Sequence, residues 1–417
     1  MGLKSAFKQP VVRVTPNDWK TLSIAEAMCK IMDYRGRTPL KLGMDWGGGD
    51  IPALSAGNVK KGFIDFTQEC YFGSDALYKK WMTNGVTEAN DIVFTTEAPL
   101  GNVALLLDNR RYILSQRTIL LRVNSDILFA PFLFQLILSD SFQCVLSENS
   151  TGSTAKGIKR KKFEKLNITF PPFHEQCAVA GALSDVDALI GALDTALAKK
   201  RDLKQAAMQQ LLTGQKRLPN FHGNWDEKCL MDVAHITRGA SPRPIDSPIW
   251  FDEKSSIGWV RISDVTRAGM FLSETSQRLS ALGVKSSRPV SKGSLIMSIC
   301  ATVGRPVITK IDTCIHDGFV VFDSLNIDQR LLYYVLKSIE RDWGKHGQTG
   351  SQMNLNTGLI NRTKIVFPKD IAEQTAIAEV LSDMDVEIAA LEQRRDKTRA
   401  LKQGMMQELL TGRIRLI

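Results

Sequence analysis

The chain has 417 residues, a formal net charge of +10 and 43% apolar residues. That length has room for two or three domains, and that apolar share fills their cores, which excludes a disordered or fibrous chain. The surplus of Lys and Arg favours a polyanionic partner without requiring one, since a basic chain can be basic for solubility alone.

Residues 1–14 lack the apolar core of a signal peptide. The longest apolar run, 127–138, is interrupted by Pro131 and Gln135 and is too short to span a bilayer, so the expected location is cytoplasmic, with no membrane contact. Residues 1–170 form a first globular half. Trp19 opens it, and 24–32 reads as a short helix or strand leading into a turn at Arg35, Gly36 and Arg37. Segments 51–59 and 91–96 are short, apolar and bounded by Gly and Pro, as strands are, and 117–123 alternates as another strand. Residues 132–142 are apolar enough for one buried helix. This mixture predicts an α+β domain. Lys156, Lys159, Arg160, Lys161, Lys162 and Lys165 then crowd around a single acid, Glu164, after the polar stretch 147–157; on a loop, such a cluster suits phosphate contacts.

The segment from Glu175, EQCAVAGALSDVDALIGALDTALAKKRDLKQAAMQQLLTGQKRL, returns from Glu373 as EQTAIAEVLSDMDVEIAALEQRRDKTRALKQGMMQELLTGRIRL, without a gap and with roughly half its positions identical. Leu183, Val186, Ile190, Leu193 and Leu197 in the first copy, and Leu381, Met384, Ile388 and Leu391 in the second, alternate spacings of three and four. That is the narrow seam of a helix that pairs with another helix. Pro171, Pro172 and Pro368 set the starts and Gly214 and Gly412 the stops. About forty residues make a rod of about 60 Å. The two copies are expected to pair antiparallel, giving 171–218 and 369–417 as spacer helices between globular halves at 1–170 and 219–368; the alternative is two unrelated surface helices on separate cores.

The second half repeats the first with weaker identity. Trp225 stands where Trp19 stood, 294–304 (SLIMSICATVG) matches 91–101 (DIVFTTEAPLG) in length and closing glycine, and GQTGS at 347–351 matches the TGS at 151–153. Taken together, TGS, FPPFHEQ at 170–176, FPKDIAEQ at 367–374, LSDVD with LSDMD, and LLTGQKRLP with LLTGRIRL resemble the specificity subunit of type I restriction-modification systems, over essentially the whole chain. The resemblance implies an α+β fold with two target recognition domains, each binding half of a split asymmetric double-stranded DNA site, held apart by an antiparallel coiled-coil helical pair in an internal pseudo-symmetric duplication. It implies docking of two methyltransferase subunits, with restriction subunits joining through them. It also implies a non-catalytic chain that itself binds no cofactor: S-adenosylmethionine, ATP and Mg belong to the partners.

DNA is read at base edges by Arg, Lys, Asn and Gln while cations on phosphates fix register. Candidates in loop-prone segments are Arg35, Arg37, Asn58, Lys60, Lys61, Thr154 and Lys156 in the first domain, with Lys159, Arg160, Lys161 and Lys162 beside them. In the second they are Arg238, Arg243, Arg261, Arg267, Gln348, Ser351, Gln352 and Asn354. No family motif fixes these positions, and for any one of them a solvated surface residue or a phosphate contact is the simpler role.

Signals of catalysis are absent on inspection. GSTAKGIK (152–159) lacks the Lys-Ser or Lys-Thr of a phosphate-binding loop, and FPPF (170–173) has Phe where an amino-methyltransferase needs an amide or carboxylate. His174, His222, His235, His316 and His346 are dispersed, as are seven cysteines without a CxxC pair, so neither a metal site, a triad nor a disulfide framework is expected. The competing function is a pseudo-symmetric scaffold that binds two partner copies without touching DNA; against it stand the basic segment and two bulky diverged domains.

Overall fold

A computed structural model describes residues 16–152, 155–343 and 355–416. By internal contacts the chain divides into two compact units, Met1–Asp194 with Gln393–Ile417, and Thr195–Glu392. Each unit therefore holds one globular portion and a stretch of both long helices.

In the first unit the elements are β1 (Lys20–Ser23), α1 (Ile24–Ala27), β2 (Met28–Asp33), β3 (Ile51–Leu54), β4 (Tyr71–Gly73), α2 (Asp75–Trp81), β5 (Ile92–Thr95), β6 (Val103–Leu105), β7 (Ile113–Leu114), β8 (Thr118–Val123), α3 (Ala130–Leu138), α4 (Asp140–Glu148), α5 (Arg160–Phe163) and β9 (Asn167–Phe170), from which the helix α6 (Phe173–Leu211) leads on. One antiparallel sheet has the order β2-β8-β5-β6, and a smaller one, β4-β3-β7, contains a parallel pair. Residues 24–32 are helix and then strand, divided at Met28, because Ser23 and Glu26 make a capping box that starts a single helical turn. The single helix expected over 132–142 is instead two, α3 and α4, bent by 68°. Ser139 is the cause: its backbone is extended and its hydroxyl accepts from the Phe142 amide, so it caps a new helix rather than continuing the old one. The basic segment is not all loop either. Arg160–Phe163 form a helical turn anchored by Phe163, which is fully buried and stacks on Phe94 at 4.6 Å.

The second unit follows the same plan with β10 (Trp225–Cys229), α7 (Leu230–Val233), β11 (His235–Arg238), β12 (Gly258–Val260), α8 (Ile262–Arg267), β13 (Phe271–Leu272), β14 (Gln277–Arg278), α9 (Ala281–Lys285), β15 (Arg288–Val290), β16 (Leu295–Ser298), β17 (Pro306–Thr309), β18 (Thr313–Ile315), β19 (Phe319–Asp323), α10 (Gln329–Ser338), α11 (Thr357–Arg362), β20 (Lys364–Pro368) and α12 (Ile371–Leu409). Its sheets, β11-β19-β16-β17-β13 and β14-β12-β18-β15, are the first unit's sheets with one strand added to each.

The repeated helical motif explains itself through its contacts. In the first unit Asp187 is ion-paired with Lys402 at 2.7 Å and Asp194 with Arg399 at 2.8 Å. In the second, Lys204 meets Asp385 and Arg201 meets Glu392. Each copy places its acids early and its bases late, so within each unit the helices run antiparallel and opposite charges face; a parallel pairing would set like against like. Leu183, Leu197 and Leu381 are at most 1% exposed, Leu193 and Ile388 are buried, and Val186, Ile190, Met384 and Leu391 are half-buried. Eighteen residues of α6 average a hydropathy of 1.3, enough by composition to pass for a membrane span. Yet the same helix carries Asp187 and Asp194, both ion-paired with α12.

The Glu-Gln opening of each helix serves as its joint. Gln176 accepts from the Phe129 amide at 2.8 Å and donates to the carbonyls of Ile127 and Pro171, both at 2.9 Å; Gln374 does the same with Asp328 and Pro368. Glu175, fully buried, takes both prongs of Arg415, and Glu373, 1% exposed, takes both prongs of Arg217. The arginine lies over Trp19 in one unit and over Trp225 in the other. Gly412 and Gly214 turn the chain at φ +73° and +71°; a side chain on Gly412 would collide with Pro16 and crowd Trp19, whereas one on Gly214 would only touch Trp225. The tail of each repeat thus closes on the head of the other.

Candidate nucleic-acid interface

At one end of the main sheet in each unit, two adjacent strands, β5 and β6 in the first and β16 and β17 in the second, are joined by a tight turn. In the first unit the amide of Thr95 donates to Asn102 and Gly101 donates back to Thr95. In the second, Ser298 donates to Arg305 and Gly304 to Ser298. Both turns hold an alanine in the left-handed region, Ala98 at φ 42° and Ala301 at φ 57°, followed by a glycine that closes the turn. A non-glycine residue there is strained by about 1–2 kcal/mol, and such strain concentrates at functional sites.

Around the first turn, charges arrive from four separate segments. Arg35, just beyond β2, is held by Asp33 at 2.6 Å and donates to the Thr96 hydroxyl at 3.1 Å. Arg117, just before β8, faces Glu97 at 3.4 Å. Residues 151–152 and 155–158 fold against the same edge: Thr151 and Gly157 exchange amide bonds, Ile158 donates to the Thr96 carbonyl, and Glu97 bridges to Gly157. This brings up exposed Lys156, Lys159, Lys161 and Lys162, with Arg160 half-buried and paired to Glu164. Lys60 and Lys61 come from a hairpin whose tip bridges to Val103, beside the turn. Burial opposes the charge on Asp33, but hydrogen bonds from Arg35 and its positive charge outweigh that and hold the carboxyl below the usual range.

Around the second turn, Asp317 gathers the polar groups. Ser241 donates to its carboxylate at 2.7 Å and Arg243 pairs with it at 3.2 Å, while Arg238 donates to its backbone carbonyl at 2.7 Å and Arg288 to the carbonyl of Arg238. The Ser241 bond is the main cause, with the neighbouring positive charges, of a carboxyl held below its ordinary range. His316 lies between Trp259 and Phe319, and burial pushes its pKa down, leaving it neutral near pH 7. Thr266 of α8 reaches Thr302 of the turn at 3.4 Å. Arg267 is exposed on that helix, tied to Asp264, and Arg261 bonds Gln277.

Two candidates belong elsewhere. Asn58 is fully buried: it accepts from Ser55 and donates to the carbonyls of Asp65 and Glu69, so it shapes the loop that carries Lys60 and Lys61 instead of facing a ligand. Arg37 lies over the Tyr34 ring and donates to the Trp81 carbonyl and the Thr83 hydroxyl, away from the turn. Thr154, Gln348, Ser351, Gln352 and Asn354 lie outside the described residues. Glu97, Arg117, Asp317 and His316 escaped sequence reasoning. Their one signal was the match of 91–101 with 294–304, which marks the turn but none of the side chains around it.

The family model for the type I restriction modification DNA specificity domain matches residues 16–200 and again 222–398. The chain is similar to the type I restriction enzyme MjaVIII specificity subunit of Methanocaldococcus jannaschii, at 24% identity over 98% of this chain and 96% of that one. In fold it is similar to the type I restriction-modification S subunit from M. genitalium, with a TM-score of 0.62 at 15% identity, covering 95% and 98% of the two chains. A chain from a structure on complex assembly and conformational transition of the type I R-M system gives a TM-score of 0.57 at 18% identity, covering 96% and 99%.

Proposed function

The chain belongs to the type I restriction-modification DNA specificity family, and from that premise we propose that it reads a bipartite, asymmetric double-stranded DNA site, one unit to each block, while its helices dock two methyltransferase subunits through which restriction subunits join. It is a specificity subunit; the chemistry, with S-adenosylmethionine, ATP and Mg, falls to the partners in the cytoplasm.

The observation that carries the reading is the paired charged end of the two main sheets. Cations collect around equivalent turns in both units, but the side chains differ: Arg35, Arg117 and the 156–162 lysines in one, Arg238, Arg243 and Arg267 in the other. Equivalent placement with different side chains is what two readers of different sequences need, with cations on phosphates setting register and polar groups meeting base edges. A helix of 39 residues, at about 1.5 Å per residue, extends about 58 Å, long enough to hold apart readers set about 34 Å, one DNA turn, from each other.

The test is co-expression with the candidate methyltransferase subunit and genome-wide mapping of adenine methylation. The expected result is one motif of two short blocks around a fixed gap, with exchange of residues 1–170 altering a single block. An assembled, active complex with no such motif would transfer the weight to the scaffold function.

A further inference from the structure

Arg117 occupies a costly position for an arginine. Its φ is 65°, where glycine is free of strain and other residues are not. In the second unit Ser298 pairs with Phe319 as Thr95 pairs with Thr118 here, so Gly318 stands where Arg117 stands, and its φ lies outside the left-handed region. The fold itself therefore does not ask for arginine here. Its carbonyl is pinned by the Thr96 amide at 2.9 Å and the Thr96 hydroxyl at 3.2 Å, which fixes the backbone and aims the side chain. That side chain meets Glu97 at 3.4 Å, and the two are 50% and 51% exposed. A surface pair so open to water contributes almost nothing to stability. Glu97 likewise has no carboxylate counterpart in the second unit, where its register partner is Cys300. An acid among Arg35, Lys156 and Arg160 would repel a phosphate backbone, and it is useful there only against a hydrogen-bond donor.

Resting on the DNA-reading function proposed above, we infer that Arg117 and Glu97 are a base-reading pair of the first unit. Arg117 donates to O6 and N7 of a guanine in the major groove, and Glu97 accepts from the exocyclic amino group of a cytosine or adenine beside it. The strain at Arg117 is retained for the side chain, and the surrounding lysines hold the phosphates that set the register.

The experiment compares the wild-type chain with Arg117→Gly, Glu97→Ala and Glu97→Gln, each in the full complex with its methyltransferase subunit, by mapping methylated adenines. Arg117→Gly removes strain, so its thermal midpoint should equal or exceed wild type. The same variant should lose roughly 5- to 150-fold of its preference for guanine at one position of the block carried by residues 1–170. Glu97→Ala should relax a neighbouring position. Glu97→Gln should move that position toward adenine if cytosine is read there and keep it if adenine is. An unchanged motif overturns the inference while leaving the bipartite reading intact, as does a uniform fall in methylation with a weaker salt dependence, the mark of a phosphate contact. A wild-type complex that shows no two-block motif overturns both.

Discussion

Replacing Arg217 by alanine should open the joint of the second unit. Glu373 is 1% exposed and receives two bonds from Arg217, at 2.5 and 2.6 Å, while the Arg217 side chain is 28% exposed. Removing the guanidinium strands a buried carboxylate, which costs about 3–5 kcal/mol when water is fully excluded; the partial exposure of Arg217 admits some water and sets the expectation at the low end, about 3 kcal/mol. The stem that lies over Trp225, 5.6 Å from guanidinium carbon to ring centre, is lost as well. Hydrogen exchange read by mass spectrometry on peptides spanning 213–229 and 364–376 should quicken on the order of 100-fold, while peptides of the first unit keep their protection. The double change Arg217→Met with Glu373→Leu should restore most of the loss, because apolar residues of similar volume replace a buried ion pair with little penalty. If Arg217→Ala shifts local opening by less than about 1 kcal/mol, the pair behaves as a surface bridge and the joint is held by packing alone.

The seam separates packing from charge: Leu381→Ala, at a fully buried position, should cost about 2–5 kcal/mol, whereas Lys200→Ala, removing a half-exposed pair with Glu387, should cost less than about 1 kcal/mol. Urea unfolding midpoints of the two variants decide this, and equal shifts would refute it. For His316, burial lowers the folded pKa beneath the unfolded value of about 6.5. The folded state then binds fewer protons than the unfolded one between those values, so its contribution is complete above pH 6.5 and declines as pH falls toward the folded pKa. An imidazole NMR titration midpoint below that of free histidine is expected, and a midpoint at or above it refutes the burial argument.

The duplication and the long helices were legible because their signals are local and repeated: a seam at spacings of three and four, prolines before and glycines after. The strands at 51–54, 92–95 and 118–123 were legible for the same reason, as short apolar runs between turn residues. What failed was anything decided by a particular hydrogen bond or strand pairing rather than by a repeating pattern. Asn58 looks like an exposed loop polar group until Ser55, Asp65 and Glu69 are found around it. Ser139 looks like one tolerable residue within an apolar run, but its capping hydroxyl divides the helix. Arg117 and Glu97 lie twenty residues apart and meet only because two strands pair, and no periodicity announces such a meeting.

The crossed joints also bear on how such a sequence can change over time. Glu175 and Arg415 belong to different copies of the repeat, as do Glu373 and Arg217, so a mutation in one copy is judged by its fit to the other. Neither copy can drift alone: a lost charge in the first is felt at the end of the second. Among the described residues, the turns that carry Ala98 and Ala301 have no such cross-reference, and their surrounding side chains are free to be replaced one unit at a time. The helices keep a shared spelling because each proofreads the other, while the globular portions answer to separate external texts.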